Sequence, residues 1–297
     1  MVGGKVAKRL ELTDGRSRVS LAPDMGGGIA GMWTKDGVPV LRPLVAGVGP
    51  FGLASNVLVP FSNRISGGGF TFEGAHNVVP LNLEGQKFPI HGDGFQKPWA
   101  VTNQTSINAE IYLSDGGMGP WAYEARQRFA LENGRLTVTL SMTNTGPRLP
   151  FGGGFHPWFP RLADTRLRFA AHSVWLEDAD HLPTEKIALA DNPDWDVGTS
   201  GALPQGLINN AFVGWDGRAG FDQPSLGITV DLCAQAPLDT AIVYSPDAQA
   251  DFFCFEPVSH AVDAHNQPEQ PGLAVLETGE TLTLEMQIGW RNYENPA

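Results

Sequence analysis

Arg135-Leu136-Thr137-Val138-Thr139-Leu140-Ser141-Met142-Thr143 alternates polar and apolar residues without a break. A β-strand turns successive side chains to opposite faces, so this run offers one face to a core and one to water. The same period recurs in Thr281-Leu282-Thr283-Leu284-Glu285-Met286-Gln287-Ile288 and in Ile228-Thr229-Val230-Asp231-Leu232. One-sided burial of this kind is characteristic of antiparallel sheets. Turn formers stand between such runs: Thr13-Asp14-Gly15, Lys35-Asp36-Gly37, Glu132-Asn133-Gly134 and Thr278-Gly279-Glu280. Asn-Gly between alternating flanks signals a two-residue hairpin. No stretch carries a long helical period, and the Ala-rich pieces are short and interrupted by Gly or Pro. These features predict an all-β chain, a large antiparallel β-sandwich forming one domain over residues 1–297.

Composition narrows the partners. A chain of 297 residues can bury most of its potential surface without metal or disulfide staples. Its 36 glycines and 23 prolines favour many turns, and its net charge of −12 disfavours nucleic acid and anionic membranes. Cys233 and Cys254 are too few for a disulfide framework and form no Cys-x-x-Cys pair. The start, Met1 to Arg9, lacks a signal-peptide core, and no run of about 18 apolar residues could span a bilayer. The expectation is a soluble cytoplasmic protein, monomer or homodimer, with a small molecule as partner.

Four polar constellations stand out. Gly152-Gly153-Gly154-Phe155-His156-Pro157-Trp158-Phe159-Pro160 sets one imidazole among glycines, aromatics and prolines. Backbone so rich in glycine can approach a ligand closely, and aromatic rings suit the C–H face of a sugar. Arg64, in Ser62-Asn63-Arg64-Ile65, precedes Gly67-Gly68-Gly69 and could fork onto ligand oxygens, or close a surface ion pair. His91 enters a glycine turn in Ile90-His91-Gly92-Asp93-Gly94 that leaves room for a ligand. In Asp251-Phe252-Phe253-Cys254-Phe255-Glu256-Pro257, a strand puts Phe252, Cys254 and Glu256 on one face and Phe253 and Phe255 on the other. A desolvated carboxylate there gains basicity, unless Glu256 merely ends the strand in water. An imidazole and a carboxylate on opposite sides of a sugar would make an acid/base pair able to open and close a hemiacetal without a cofactor.

Taken in order, these motifs resemble the aldose 1-epimerase (galactose mutarotase) family across nearly the whole chain: Asn63-Arg64-Ile65, Ile90-His91-Gly92 with Trp99, Gly154 to Phe159, and Phe255-Glu256-Pro257. Leu276-Glu277-Thr278-Gly279-Glu280-Thr281-Leu282 looks like that family's final hairpin. The resemblance implies a β-sandwich with a sugar cleft across one sheet and no cofactor or metal. His156 would be the general acid on the ring oxygen and Glu256 the general base on the anomeric hydroxyl. His91 would be a second donor; Arg64, Asn63 and Trp158 would hold the sugar. The family often carries an Asp where this chain has Asn209, so hydroxyl recognition falls to Asn209, or to Asp216 if the register slips. In this reading His156 is protonated and Glu256 ionised when sugar binds. A hexose-6-phosphate epimerase would need further cations, for which Arg42 and Arg161 are candidates. A sugar-binding module without catalysis, or a metal site of His91, His156 and Glu256, are the other readings.

Overall fold

The three alternating runs are neighbours in one sheet. In the computed structural model, which describes residues 9–295, Arg135–Asn144 lies antiparallel to Thr281–Asn292, with Leu136, Val138, Leu140 and Met142 opposite Ile288, Met286, Leu284 and Leu282. Thr281–Asn292 pairs in turn with Ile228–Ala234. The stretch read above for targeting signals lies, through residue 8, outside the described residues. Trp121–Glu132 reaches Arg135–Asn144 through Asn133 and Gly134, whose φ values of 52° and 80° are the two left-handed positions of a type I′ turn.

This eight-stranded sheet packs on a ten-stranded one, ordered Leu10–Thr13, Ser17–Ala22, Gly28–Thr34, Ser55–Leu58, Gly154–Pro160, Phe252–Val258, Thr240–Ser245, Ile208–Val213, Ser173–Glu177 and Pro183–Ala188. Every pairing of strands in the two sheets is antiparallel among the described residues, and the α-helix Val197–Ser200 has four residues. The sheets meet through rings: Phe159 lies 4.4 Å from Phe221, which also contacts Phe253 and Phe255. Burying each such ring stabilises by about 1.5–3 kcal/mol, and truncation to alanine costs more because a cavity remains.

Period-two alternation then dictates what the other face carries. With Phe155, Phe159, Phe253 and Phe255 in the core, His156, Trp158, Cys254 and Glu256 must point the opposite way. Register aligns them: Asn209 opposes Tyr244, Tyr244 opposes Cys254, and Cys254 opposes Trp158. One rung further, Glu256 opposes Ile242, and His156, two residues from Trp158, falls beside it. Polar groups from four separated segments thus share one outer surface.

One expectation fails here. Ala274–Leu276 pairs with Leu149–Phe151, whereas Thr281–Asn292 belongs to the eight-stranded sheet. Residues 277–280 therefore connect two sheets rather than closing a hairpin; a turn signal specifies a reversal, not the partner that follows it.

Candidate active site

The outer surface of the ten-stranded sheet floors a cavity of about 400 Å³, lined there by His156, Trp158, Asn209, Tyr244, Phe252 and Glu256. Loops contribute Asn63, Arg64 and His91 on one side, Arg42, Val48 and Phe51 on another, and His181 at the edge. All seven residues expected to act or bind (His156, Glu256, His91, Arg64, Asn63, Asn209 and Trp158) border this one cavity.

His156 Nε2 lies 3.3 Å from Glu256 Oε1, and the two residues are only 7% and 3% exposed. Burial penalises both charges. It pushes the Glu256 carboxyl up to about 8, against the opposing pull of Arg64, and drives the His156 imidazole down to about 3. At neutral pH the free site therefore holds one proton on Glu256 and a neutral His156, whereas the charged pair expected from sequence belongs to the sugar-bound site. The depth of burial responsible is a property of the assembled sheet. Glu256 Oε2 and His156 Nδ1 are buried with no hydrogen-bond partner among the described residues. The imidazole plane is set by Trp158, which stacks on it at 3.9 Å and 15°. That face of Trp158 consequently backs the imidazole and is not open to a ligand.

Asn63 and His91 brace each other. Both sit at left-handed φ, 55° and 61°, where a non-glycine residue is strained. The His91 backbone N–H donates to the Asn63 carbonyl at 2.9 Å, and the Asn63 N–H donates to His91 Nδ1 at 3.0 Å. Burial, reinforced by His156 and Arg64, lowers the His91 pKa well below the usual range. With Nδ1 accepting, the neutral ring carries its hydrogen on Nε2 and serves as a donor. Arg64 Nη1 donates to Asn63 Oδ1 at 3.0 Å, so the strained loop also orients the guanidinium.

Asn209 Nδ2 donates to Glu177 Oε2 at 3.0 Å, and His181 Nδ1 meets Glu177 Oε1 at 2.8 Å. Asp216 lies elsewhere, its carboxylate accepting from the Arg218 N–H in a turn. The slipped register is thereby set aside: Asn209 is the one at the cavity. Of the two candidate cations, Arg161 bonds Ser245 and the Pro204 carbonyl away from this cavity, while Arg42 borders it, over the rings of Trp158 and Phe252 at 5.1 and 4.7 Å. The acid, base and thiol donor atoms that cluster within 4.8 Å are those of His156, Cys254 and Glu256, not the two-histidine set weighed above.

The glycines have a different task from the one expected. A Cβ on Gly154 would stand 2.3 Å from the Pro257 carbonyl oxygen, and one on Gly92 would stand 1.9 Å from that of Val59. They let strand and loop approach protein backbone, and neither borders the cavity. Glu177, His181 and Tyr244 went unnoticed in the sequence. A signal for Glu177 existed: Ser173-Val174-Trp175-Leu176-Glu177 is, like Phe252 to Glu256, an apolar strand ending in a carboxylate.

Comparison with known proteins points the same way. The family model for aldose 1-epimerase matches residues 8–289. An uncharacterised Escherichia coli K12 protein, YphB, is 35% identical over 276 residues, 89% of this chain and 93% of its own. A solved structure from the same organism, described as a candidate aldose 1-epimerase, superposes with a TM-score of 0.90 at 33% identity, covering 96% of this chain and 99% of that one. The galactose 1-epimerase of Lactobacillus acidophilus shares the fold, with a TM-score of 0.71 at 15% identity over 98% of this chain and 97% of its own. With its sheets, the order of its motifs and a match over almost its whole length in agreement, this chain belongs to the aldose 1-epimerase family.

Proposed function

We propose that the protein interconverts the α and β anomers of a free aldose by acid/base ring opening and closure. The carrying observation is the buried 3.3 Å contact between His156 and Glu256 at the floor of a cavity of sugar size. His156 delivers a proton to the ring oxygen while Glu256 takes the anomeric hydroxyl proton. The C1–O5 bond breaks, leaving an open-chain aldehyde. After rotation about C1–C2 the ring oxygen attacks the other carbonyl face, and both protons return.

This cycle needs one proton on the pair. The neutral tautomer of the free site and the charged tautomer that starts the reaction have the same count, so transfer across the 3.3 Å contact connects them. Sugar hydroxyls donating to the Glu256 carboxylate, with Arg64 nearby, favour its ionised form. His91 Nε2 and Arg64 supply fixed donors to the sugar oxygens.

The test is anomer exchange on glucose, galactose, xylose and arabinose, followed by NMR or polarimetry. His156→Ala should cut the enzymatic rate by about two to four orders of magnitude. Exchange no faster than buffer would leave a sugar-binding role instead. Arg42 favours a second arm. It borders the cavity, donates to the Phe51 and Leu53 carbonyls, and has no carboxylate within ion-pairing distance among the described residues. Comparing glucose with glucose 6-phosphate decides whether that charge meets an anionic sugar.

A further inference from the structure

Strands Ser173–Glu177 and Ile208–Val213 pair with Ser173 opposite Val213 and Val174 opposite Phe212; continued, that register sets Glu177 opposite Asn209. The two carboxylate oxygens of Glu177 are taken separately, Oε2 by Asn209 Nδ2 and Oε1 by His181 Nδ1. A carboxylate has only lone pairs to offer, so both partners must donate. The Asn209 amide is thereby held with its nitrogen on Glu177, and its Oδ1 is left to accept. His181 presents its Nδ1 hydrogen to Glu177, and in the tautomer this selects, Nε2 is an acceptor. Asn209 and His181 line the cavity, and Glu177 stands behind them.

Each of these groups could otherwise donate or accept. We propose that Glu177 is a positioning residue that turns Asn209 and His181 into a wall of acceptors, selecting aldoses that present free hydroxyl hydrogens there. Sugars with a deoxy or O-alkyl substituent at that position are rejected. A missing or blocked hydroxyl leaves acceptors unpaired. The inference rests on reading the cavity as an aldose site.

The experiment pairs binding with turnover. Dissociation constants come from ligand-observed NMR, and KM and kcat from anomer exchange, on glucose and its 2-, 3- and 4-deoxy and deoxyfluoro analogues. Glu177→Gln should raise Kd and KM about tenfold or more with kcat within about threefold, as expected for losing the group that orients two hydrogen bonds. Asn209→Asp should be at least as damaging, because it sets two carboxylates face to face. The exchanged pair E177Q/N209D restores one carboxylate to one amide and should return Kd to within about threefold of wild type. In the unaltered protein, at least one ring position should bind its deoxy and deoxyfluoro forms about equally weakly, roughly tenfold below glucose, since fluorine accepts but cannot donate.

An unchanged Kd in Glu177→Gln, a loss confined to kcat, an exchanged pair no better than the worse single variant, or no ring position with that signature would each overturn the proposal. Wild type that binds glucose without accelerating exchange would overturn the epimerase reading alone, since the Kd series is independent of turnover.

Discussion

Replacing Glu256 with glutamine keeps the size of the side chain but removes its ability to ionise, and the consequences for activity and stability run in opposite directions. Folding raises this carboxyl from an ordinary 4.5 to about 8, with burial as the leading cause. The folded protein therefore binds more protons than the unfolded chain between those values. The carboxyl's contribution to stability is intact below pH 4.5 and is lost as the pH rises through about 8. At about 1.36 kcal/mol per pKa unit, the cost is roughly 1 kcal/mol at pH 5 and roughly 4 kcal/mol at pH 8. Glutamine escapes it at every pH. The stability difference between Glu256→Gln and wild type should thus grow in the variant's favour by roughly 3 kcal/mol from pH 5 to pH 8, or by about 6 °C in Tm for a chain of this size. Exchange activity should fall by about two to four orders of magnitude. Urea and thermal unfolding of both proteins at the two pH values, beside NMR anomer exchange, measure all of this. Stability curves that stay parallel from pH 5 to pH 8 would refute the desolvation argument, because every other titrating group is common to both proteins.

The catalysed rate itself should be flat through neutral pH and decline above about 8, where the His156–Glu256 pair loses its only proton; a pH profile of kcat/KM checks this, and a rate still climbing past pH 9 would contradict it. Gly92→Ala places a Cβ 1.9 Å from the Val59 carbonyl oxygen at a φ of 68°, so it should cost about 2 kcal/mol or more by urea unfolding and displace His91. His265 packs against Phe61, Phe70 and Trp121, and burial holds its pKa well below the usual range. Unfolding lets it take up a proton, so stability drops as the pH falls below 6.5. In stability measurements His265→Leu should make that acid limb shallower between pH 7 and pH 5, the remainder belonging to the buried His91, His156 and His260.

Much of the architecture was legible because a strand with one wet face writes its period into the chain. Leu136 to Met142 and Leu282 to Ile288 alternate cleanly since one side must meet the other sheet. Which strands become neighbours was not written there. The pairing of Ala274–Leu276 with Leu149–Phe151 depends on contacts more than a hundred residues apart. The same distinction runs through the site. His156, His91, Arg64 and Glu256 could be noticed because each is a polar residue set in apolar or glycine-rich surroundings. Glu177 gains its significance from a cross-strand partner, Asn209, that no local reading supplies, and His181 gains its own through Glu177. The charge states of the free site were not legible for a related reason. Residue type says what can ionise, and only the depth of the assembled floor says whether it does. The glycines beside His156 were read as room for a ligand, and they prove to be room for neighbouring protein, the Leu58 and Pro257 carbonyls at Gly153 and Gly154 and the His260 ring at Gly152.

The floor of the cavity has an implication for how such a protein can diversify. His156 and Glu256 stand on adjacent strands, so their separation is inherited from the spacing of a hydrogen-bonded sheet, about 4.8 Å, and cannot drift without unzipping the ladder. Arg42, Asn63, His91 and His181 belong instead to connecting loops, which tolerate insertion and exchange. On the proposed reading the acid/base pair is anchored to the sheet, while Arg42, Asn63, His91 and His181 add replaceable contacts to those that Asn209 makes from its strand. Grafting the 42–53 or 178–182 loop from a relative should retarget the protein while leaving its proton chemistry where it is.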